Sequence, residues 1–332
     1  MTIILALLVF LIVIVFHELG HFSVAKWVGI RVLEFSVGMG PALWQKEKGE
    51  TTYSLRALPL GGYCAMEGEE EASDDEASFS KAKPGQRFLT ILAGPLMNLV
   101  IAYLCFLLFL GMQGITIPVV ESFPKNSPAE HAGMMVGDRI TAINGDNVQS
   151  SKELTDLLKR HGEDARTVQV SVLRDNESKI FTVQPEKEEG KVLLGITMQR
   201  QSDFLGAFGA AWSMLWETFF SLFTILQRLF TGALSLNALS GPIGVVSMIG
   251  QAAQEGFSRL LFFTGYISLN LAFFNLLPIP ALDGFTLWLI VIEKLRGKPL
   301  SMKVENGIKI AGFALFIGLI VFVSFKDILR LL

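Results

Sequence analysis

The sequence predicts an α-helical integral membrane protein of about four transmembrane helices, with a membrane-associated β-hairpin or small sheet and one inserted α+β module. Three observations carry this. Hydrophobic residues make up 51% of the 332 residues and mean hydropathy is +0.48, too apolar for an ordinary soluble domain. Apolar runs recur at 3–24, 88–111, 260–281 and 308–323, close to the roughly 20 residues a crossing helix needs. Between the second and third runs, residues 115–200 turn polar and show short alternating strands bounded by turn residues. The expected organisation is a membrane core at 1–114, the inserted domain at 115–200, and a second membrane part at 201–332.

The first run is uncharged except for His17-Glu18-Leu19-Gly20-His21, with Lys26 and Trp27 marking the interface. It lacks a basic leader and carries His, Glu and His in its second half, so it reads as a retained span rather than a signal peptide. One helical turn separates the two histidines, so both rings project from one face and can share an ion, while Glu18 lies beside them to activate water. Two surface histidines on a soluble helix would give the same spacing. Inside an apolar run each ionisable group costs about 3 kcal/mol, and such groups by default mark function. From His17 to Lys26 the helix rises only about 14 Å, placing the centre in the leaflet near that end.

Residues 31–37 and 51–63 alternate around Lys46-Glu47-Lys48-Gly49-Glu50, which predicts a β-hairpin or small sheet. Its free edge could align an extended peptide; a plain loop is the alternative. The acidic run from Glu67 to Glu76 reads as a solvated loop. The second span opens with Ala93-Gly94-Pro95-Leu96-Met97-Asn98, where Asn98 either marks a helix entry or hydrogen-bonds a substrate backbone.

The apolar, aromatic stretch 204–230 is long enough to span, yet parity argues against a simple crossing. Asp283 must share a leaflet with His17 and His21, so an odd number of crossings separates the inserted domain from it. If 260–281 supplies one, 204–230 supplies none or belongs to a pair with about 240–255; a helix that lies on or re-enters the membrane is preferred, as its Trp212 and Trp216 favour. The last run then returns the C-terminus to the side of the inserted domain.

Of the 4 histidines, His131 and His161 fall in the polar middle, so a third ligand must come from elsewhere. The candidate is Asp283, in Asn275-Leu-Leu-Pro278-Ile-Pro280-Ala-Leu282-Asp283-Gly284. Alone it reads as a cap or turn aspartate. Beside a histidine pair lacking a partner it reads as a ligand, and two His with one Asp leave the fourth tetrahedral position of Zn2+ open, as a catalytic zinc requires. A net charge of -3 argues against a nucleic-acid partner, and Cys64 and Cys105 imply no disulfide framework.

The stretch Ser127-Pro-Ala129, Ala132-Gly133, Gly137-Asp138-Arg139-Ile140, Ile143-Asn144-Gly145, a helix at 151–161 and strands at 168–172 and 179–183 resembles a PDZ domain of the permuted bacterial type. This implies either a peptide ligand captured by strand addition or a size filter. Together with the HELGH span, Gly94-Pro-Leu-Met-Asn98, the LSGPIG stretch at 239–244 and the Asn275–Gly284 motif, the whole chain resembles the RIP metalloproteases, the bacterial site-2 protease family of RseP type. The resemblance implies a multi-pass protein of the inner (plasma) membrane with an extracytoplasmic PDZ domain. It further implies a zinc enzyme that cuts single-span proteins, such as anti-sigma factors and signal-peptide remnants, in regulated intramembrane proteolysis. By motif, His17, His21 and Asp283 would hold zinc, Glu18 would be the general base, and Asn275 would contact substrate backbone. Phe285 stands where the family has a second glycine, and one PDZ domain is present where well-known relatives carry two. A membrane metal transporter would need no glutamate base, and a non-catalytic PDZ scaffold would tolerate loss of Glu18; metal flux and cleavage assays separate the three.

Overall fold

In the computed structural model, residues 1–331 are described except 70, 72, 163–166, 189–190, 236–240 and 299–301. Leu239 and Ser240 of the LSGPIG stretch, and Glu70 and Ala72 of the acidic run, therefore lie outside the described residues. The chain divides into two units, residues 1–109 with 211–332, and residues 110–210.

The first unit begins with α1 (Thr2–Val28), which ends where the Ile30 N–H turns back to the Ala25 carbonyl at 2.8 Å. Helix α1 is apolar all round, so composition alone does not say which side is covered. The structure does: Ala6, Val9, Val13, His17, Gly20, His21 and Ala25 form a buried stripe at spacings of one, three or four. Ile3, Ile4, Leu8, Ile12 and Phe16 stay exposed on the rest of the surface, as expected of a helix solvated by lipid.

Strands β1 (Val32–Lys48) and β2 (Thr51–Met66) are longer than the alternation predicts because each bends and pairs twice. Glu34 faces both Ala65 and Thr52, and Lys48 faces Thr51, so residues 34–37 lie between 52–55 and 62–65. One polar cluster spans these segments. Arg56 donates to Glu34 at 2.7 Å and to the Tyr63 hydroxyl at 2.5 Å, and Ser54 donates to Glu34. Burial works against the charge on Glu34, but the bonds from Ser54, Tyr63 and Arg56 prevail and lower its pKa. Burial, reinforced by Glu34, pushes the Tyr63 hydroxyl up to about 12.

Helix α2 (Pro84–Gln113) carries Pro95 in its interior, and its buried residues begin Thr90, Ile91, Ala93, Gly94, Pro95 and Asn98. The second unit follows with β3 (Ile115–Ser122), α3 (Pro128–His131), β4 (Arg139–Ile143), β5 (Asp146–Asn147), α4 (Ser151–Gly162), β6 (Val168–Arg174), β7 (Glu177–Val183), β8 (Glu186–Glu188), β9 (Lys191–Leu193) and β10 (Thr197–Gln201). Its main sheet has the order β10-β3-β4-β6-β7, with β5 paired to β4. This is the strand and helix sequence that the PDZ resemblance implies. Ser127 caps α3 by accepting from the Glu130 N–H. Val120, Ile140, Ile143, Leu154, Val168, Val170 and Val172 fill the core. The Gly137-Asp138 turn is fixed by Arg174, which reaches both Asp138 oxygens at 2.6 and 2.7 Å.

The chain continues through α5 (Phe204–Phe230), α6 (Pro242–Glu255), α7 (Phe257–Leu276), α8 (Asp283–Arg296) and α9 (Met302–Leu331). Among the described residues four helical segments are long and apolar enough to cross a membrane: Thr2–Val28, Pro84–Gln113, Phe257–Leu276 and Gly307–Asp327. Helix α5 is not one of them. Helix α7 stops before the predicted end of its apolar run because Leu277 turns extended, as a residue preceding proline must.

Candidate metal centre

Four helix ends meet at the buried stripe of α1. His17 Nε2 lies 3.0 Å from Asp283 Oδ2 and 3.1 Å from His21 Nε2, and His21 Nε2 lies 3.4 Å from the same carboxylate oxygen. The three ligand atoms fall within 4.8 Å of one another. Asp283 Oδ2 is buried and, despite these short distances, makes no hydrogen bond among the described residues. Three potential lone-pair donors converging on one point, one of them a buried carboxylate oxygen without a hydrogen bond among the described residues, fit a bound cation.

Close backbone approach makes the convergence possible. A methyl group at Gly94 would sit 2.2 Å from His21 Nε2 and 2.9 Å from His17 Cε1, so any other residue there would fill the place of the ion. On the opposite side, a methyl at Gly284 would lie 2.2 Å from the Leu277 carbonyl oxygen. The absent side chain lets the first turn of α8 pack on the end of α7 and presents Asp283 to the histidines. Phe285 is half-buried in that turn, its N–H bonded to the Leu282 carbonyl at 3.1 Å. The departure from the family pattern thus leaves Asp283 facing the histidines.

Several supporting groups had no sequence signal. His21 Nδ1 bonds the Thr90 backbone carbonyl at 2.9 Å, an interaction that fixes the ring so that Nε2 points inward. Arg87 at the start of α2 donates to Glu293 in α8 at 2.6 Å, and Leu287 of α8 packs with Ala25, Cys64 and Ile91. These contacts anchor the helix that carries Asp283. The Glu18 carboxylate faces the Cys64 backbone N–H and lies within electrostatic reach of His21, His17 and Asp283. Burial, then Glu18, push the Cys64 thiol above its usual range, and among the described residues the converging ligand atoms are those of His17, His21 and Asp283.

The two asparagines occupy different positions. Asn275, in the last turn of α7, points Nδ2 at His17 Nε2 at 3.5 Å. Asn98 is fully enclosed at 0% exposure, its Nδ2 3.0 Å from His17 Nδ1. In this structure the contact Asn98 makes is with His17, and Asn275, also buried, likewise faces that ring.

Comparison with known proteins agrees with this architecture. The chain is 38% identical over 338 residues to a Clostridium perfringens protein, covering 99% of each. It is 31% identical to the zinc metalloprotease RasP of Shouchella clausii and 29% identical to the regulator of sigma-W protease RasP of Bacillus subtilis, covering 99% of both chains each time. The alignment with the Shouchella protein is 422 positions long against 332 residues here, so that relative carries internal residues without a counterpart. The PDZ domain of a Listeria innocua SdrC-like protein matches with a TM-score of 0.22 and 25% identity, covering 26% of this chain and 96% of that one. The pattern of peptidase family M50 matches residues 5–319, so nearly the whole chain, both motif-bearing membrane parts included, is accounted for, and the chain belongs to that family.

Proposed function

We propose that the chain is an intramembrane zinc metalloprotease that cuts single-span membrane proteins as a step of regulated intramembrane proteolysis. The observation that carries this is the meeting of His17, His21 and Asp283, with Glu18 alongside, on the buried face of an apolar helix long enough to cross a membrane. Two imidazoles and a carboxylate suit Zn2+ and leave it an open position. The names of the Shouchella and Bacillus relatives, a zinc metalloprotease and a regulator of sigma-W protease, support the same reading and favour anti-sigma factors among the substrates.

His17, His21 and Asp283 would hold a zinc ion, which when bound would supply Lewis-acid activation for attack by water on the scissile carbonyl. Glu18 takes the proton from the attacking water and returns it to the leaving amine nitrogen. Thr90 keeps His21 in the tautomer whose Nε2 is free to ligate. The substrate must unwind, because a helix hides its peptide bonds in internal hydrogen bonds. Residues 62–65 pair with β1 on one side, and Gly61 and Gly62 lie against Ile14 and Val15 of α1, so the other edge of this segment can receive an extended substrate near the α1 site. The Asn275 amide offers that segment a donor and an acceptor.

Capturing substrates with a Glu18→Gln variant tests the reading. The variant keeps one zinc per chain, loses cleavage, and co-purifies with single-span proteins that wild type degrades. Cleavage at the wild-type rate by this variant, or a wild-type chain that binds no zinc, rejects it.

A further inference from the structure

We propose that Asn98 is a positioning residue for the metal centre: its side-chain oxygen accepts the Nδ1 proton of His17 and locks that ring with Nε2 toward the ion. The inference rests on the zinc reading above and assigns a role within it.

His17 Nε2 faces Asp283 and His21, and Nδ1 faces Asn98. A neutral imidazole that gives its Nε2 lone pair to a metal carries its proton on Nδ1, and a buried N–H requires an acceptor. His21 has one in the Thr90 carbonyl. For His17 the atom 3.0 Å from Nδ1 is Asn98 Nδ2, which would set donor against donor. Meanwhile Asn98 Oδ1 is buried and has no hydrogen-bond partner among the described residues. Turning the amide by 180° removes both faults, because it brings Oδ1 to the Nδ1 proton; nitrogen and oxygen of an amide are interchangeable in placement until the bonding decides. The backbone at this point is itself held: Ser268 of α7, fully buried, donates to the Asn98 carbonyl at 2.9 Å. Helix α2 thereby orients both histidines, one by a main-chain carbonyl and one by a side-chain amide. Glycine at 94 gives the ion room and asparagine at 98 aims a ligand at it, one helical turn apart on the same face.

The test is zinc affinity of the full-length chain in detergent, measured by competition with a chromophoric chelator, with the metal-free melting midpoint recorded in parallel. Asn98→Leu, of similar size without an acceptor, should weaken zinc about 10–100-fold, the effect typical of losing an outer hydrogen-bond partner. Asn98→Asp restores the acceptor and should recover most of the affinity, although it removes the N–H donors a substrate-binding asparagine would use. Nitrogen-15 NMR of histidine-labelled, zinc-loaded wild type provides a readout that needs no variant, since the chain has only 4 histidines. His17 should be metallated at Nε2 and protonated at Nδ1, with a slowly exchanging proton. Wild-type zinc affinity in Asn98→Leu, or metallation of His17 at Nδ1, overturns the assignment. Zinc binding by wild type in the same titration checks the metal reading separately.

Discussion

At the scale of single residues, two glycines matter as much as the ligands. Gly94 leaves space that a methyl group would take from His21 and His17. Overpacking a tight site costs about 1–3 kcal/mol, so Gly94→Ala should weaken zinc about tenfold or more. Chelator competition on the purified chain measures this, and an unchanged affinity would show that α2 can retreat. The ligands and Glu18 were legible in the sequence because ionisable groups inside an apolar run have few structural explanations. The glycine contacts and the Thr90 carbonyl were not. They are backbone or absent atoms, and which backbone faces a site depends on helix packing that no local pattern encodes.

At the scale of elements, the broken stretch between α7 and α8 and the buried ion pair of the inserted domain each have a measurable consequence. Leu277 and Leu282 are extended and Pro278 and Pro280 lack N–H groups, so the segment that separates Asn275 from Asp283 is irregular, as its prolines require. Asn275→Ala should retain zinc but cleave poorly, with the defect eased for a substrate whose span carries a central Gly or Pro. An equal defect on both substrates, accompanied by a lower melting temperature, would make Asn275 a structural residue instead. In the inserted domain, burial disfavours the charge on Asp138, yet the bonds from Arg174 and the Met135 N–H outweigh it and lower its pKa. A carboxyl with a depressed folded pKa stabilises above its unfolded pKa, near 3.9. That contribution is lost as pH falls through the folded value. Hydrogen-exchange protection at β4 and β6, corrected for the intrinsic pH dependence of amide exchange, should therefore fall below about pH 4 in wild type, whereas Asp138→Asn should be less protected already at neutral pH and change little with acid. Acid-independent protection in wild type would remove the ion pair from the stability of this domain. The Gly-Asp turn was readable as a motif, but its partner Arg174 was not, because the two meet only once β4 and β6 pair.

At the scale of the whole molecule, the membrane-crossing order follows from the metal centre. His17 and His21 lie toward the C-terminal end of α1, Thr90 and Asn98 in the first half of α2, Asn275 at the end of α7, and Asp283 at the start of α8. These residues gather at one site, and the arrangement expected from that is α1 and α7 running one way through the bilayer and α2 the other, with β1–β2 and the start of α8 on a common side. The aromatic helix α5 is then expected to begin and end on the opposite side, one of the two solutions parity allows in the sequence, the other being a crossing paired with residues near 240–255. The length of α5 could not decide the matter, because a 27-residue apolar helix can cross a membrane or lie on it. The expected topology has four crossings, both termini and the inserted domain outside the cytoplasm, and the β1–β2 sheet inside it. Accessibility labelling of single cysteines tests this in intact cells, on a chain with Cys64 and Cys105 replaced. A cysteine at Ser171 should react with an impermeant reagent from outside, and one at Lys48 only after the membrane is opened. Labelling of the Ser171 position only after permeabilisation would invert the arrangement. Labelling of both positions from outside would mean an even number of crossings between α1 and the inserted domain, which is incompatible with α2 as a simple span.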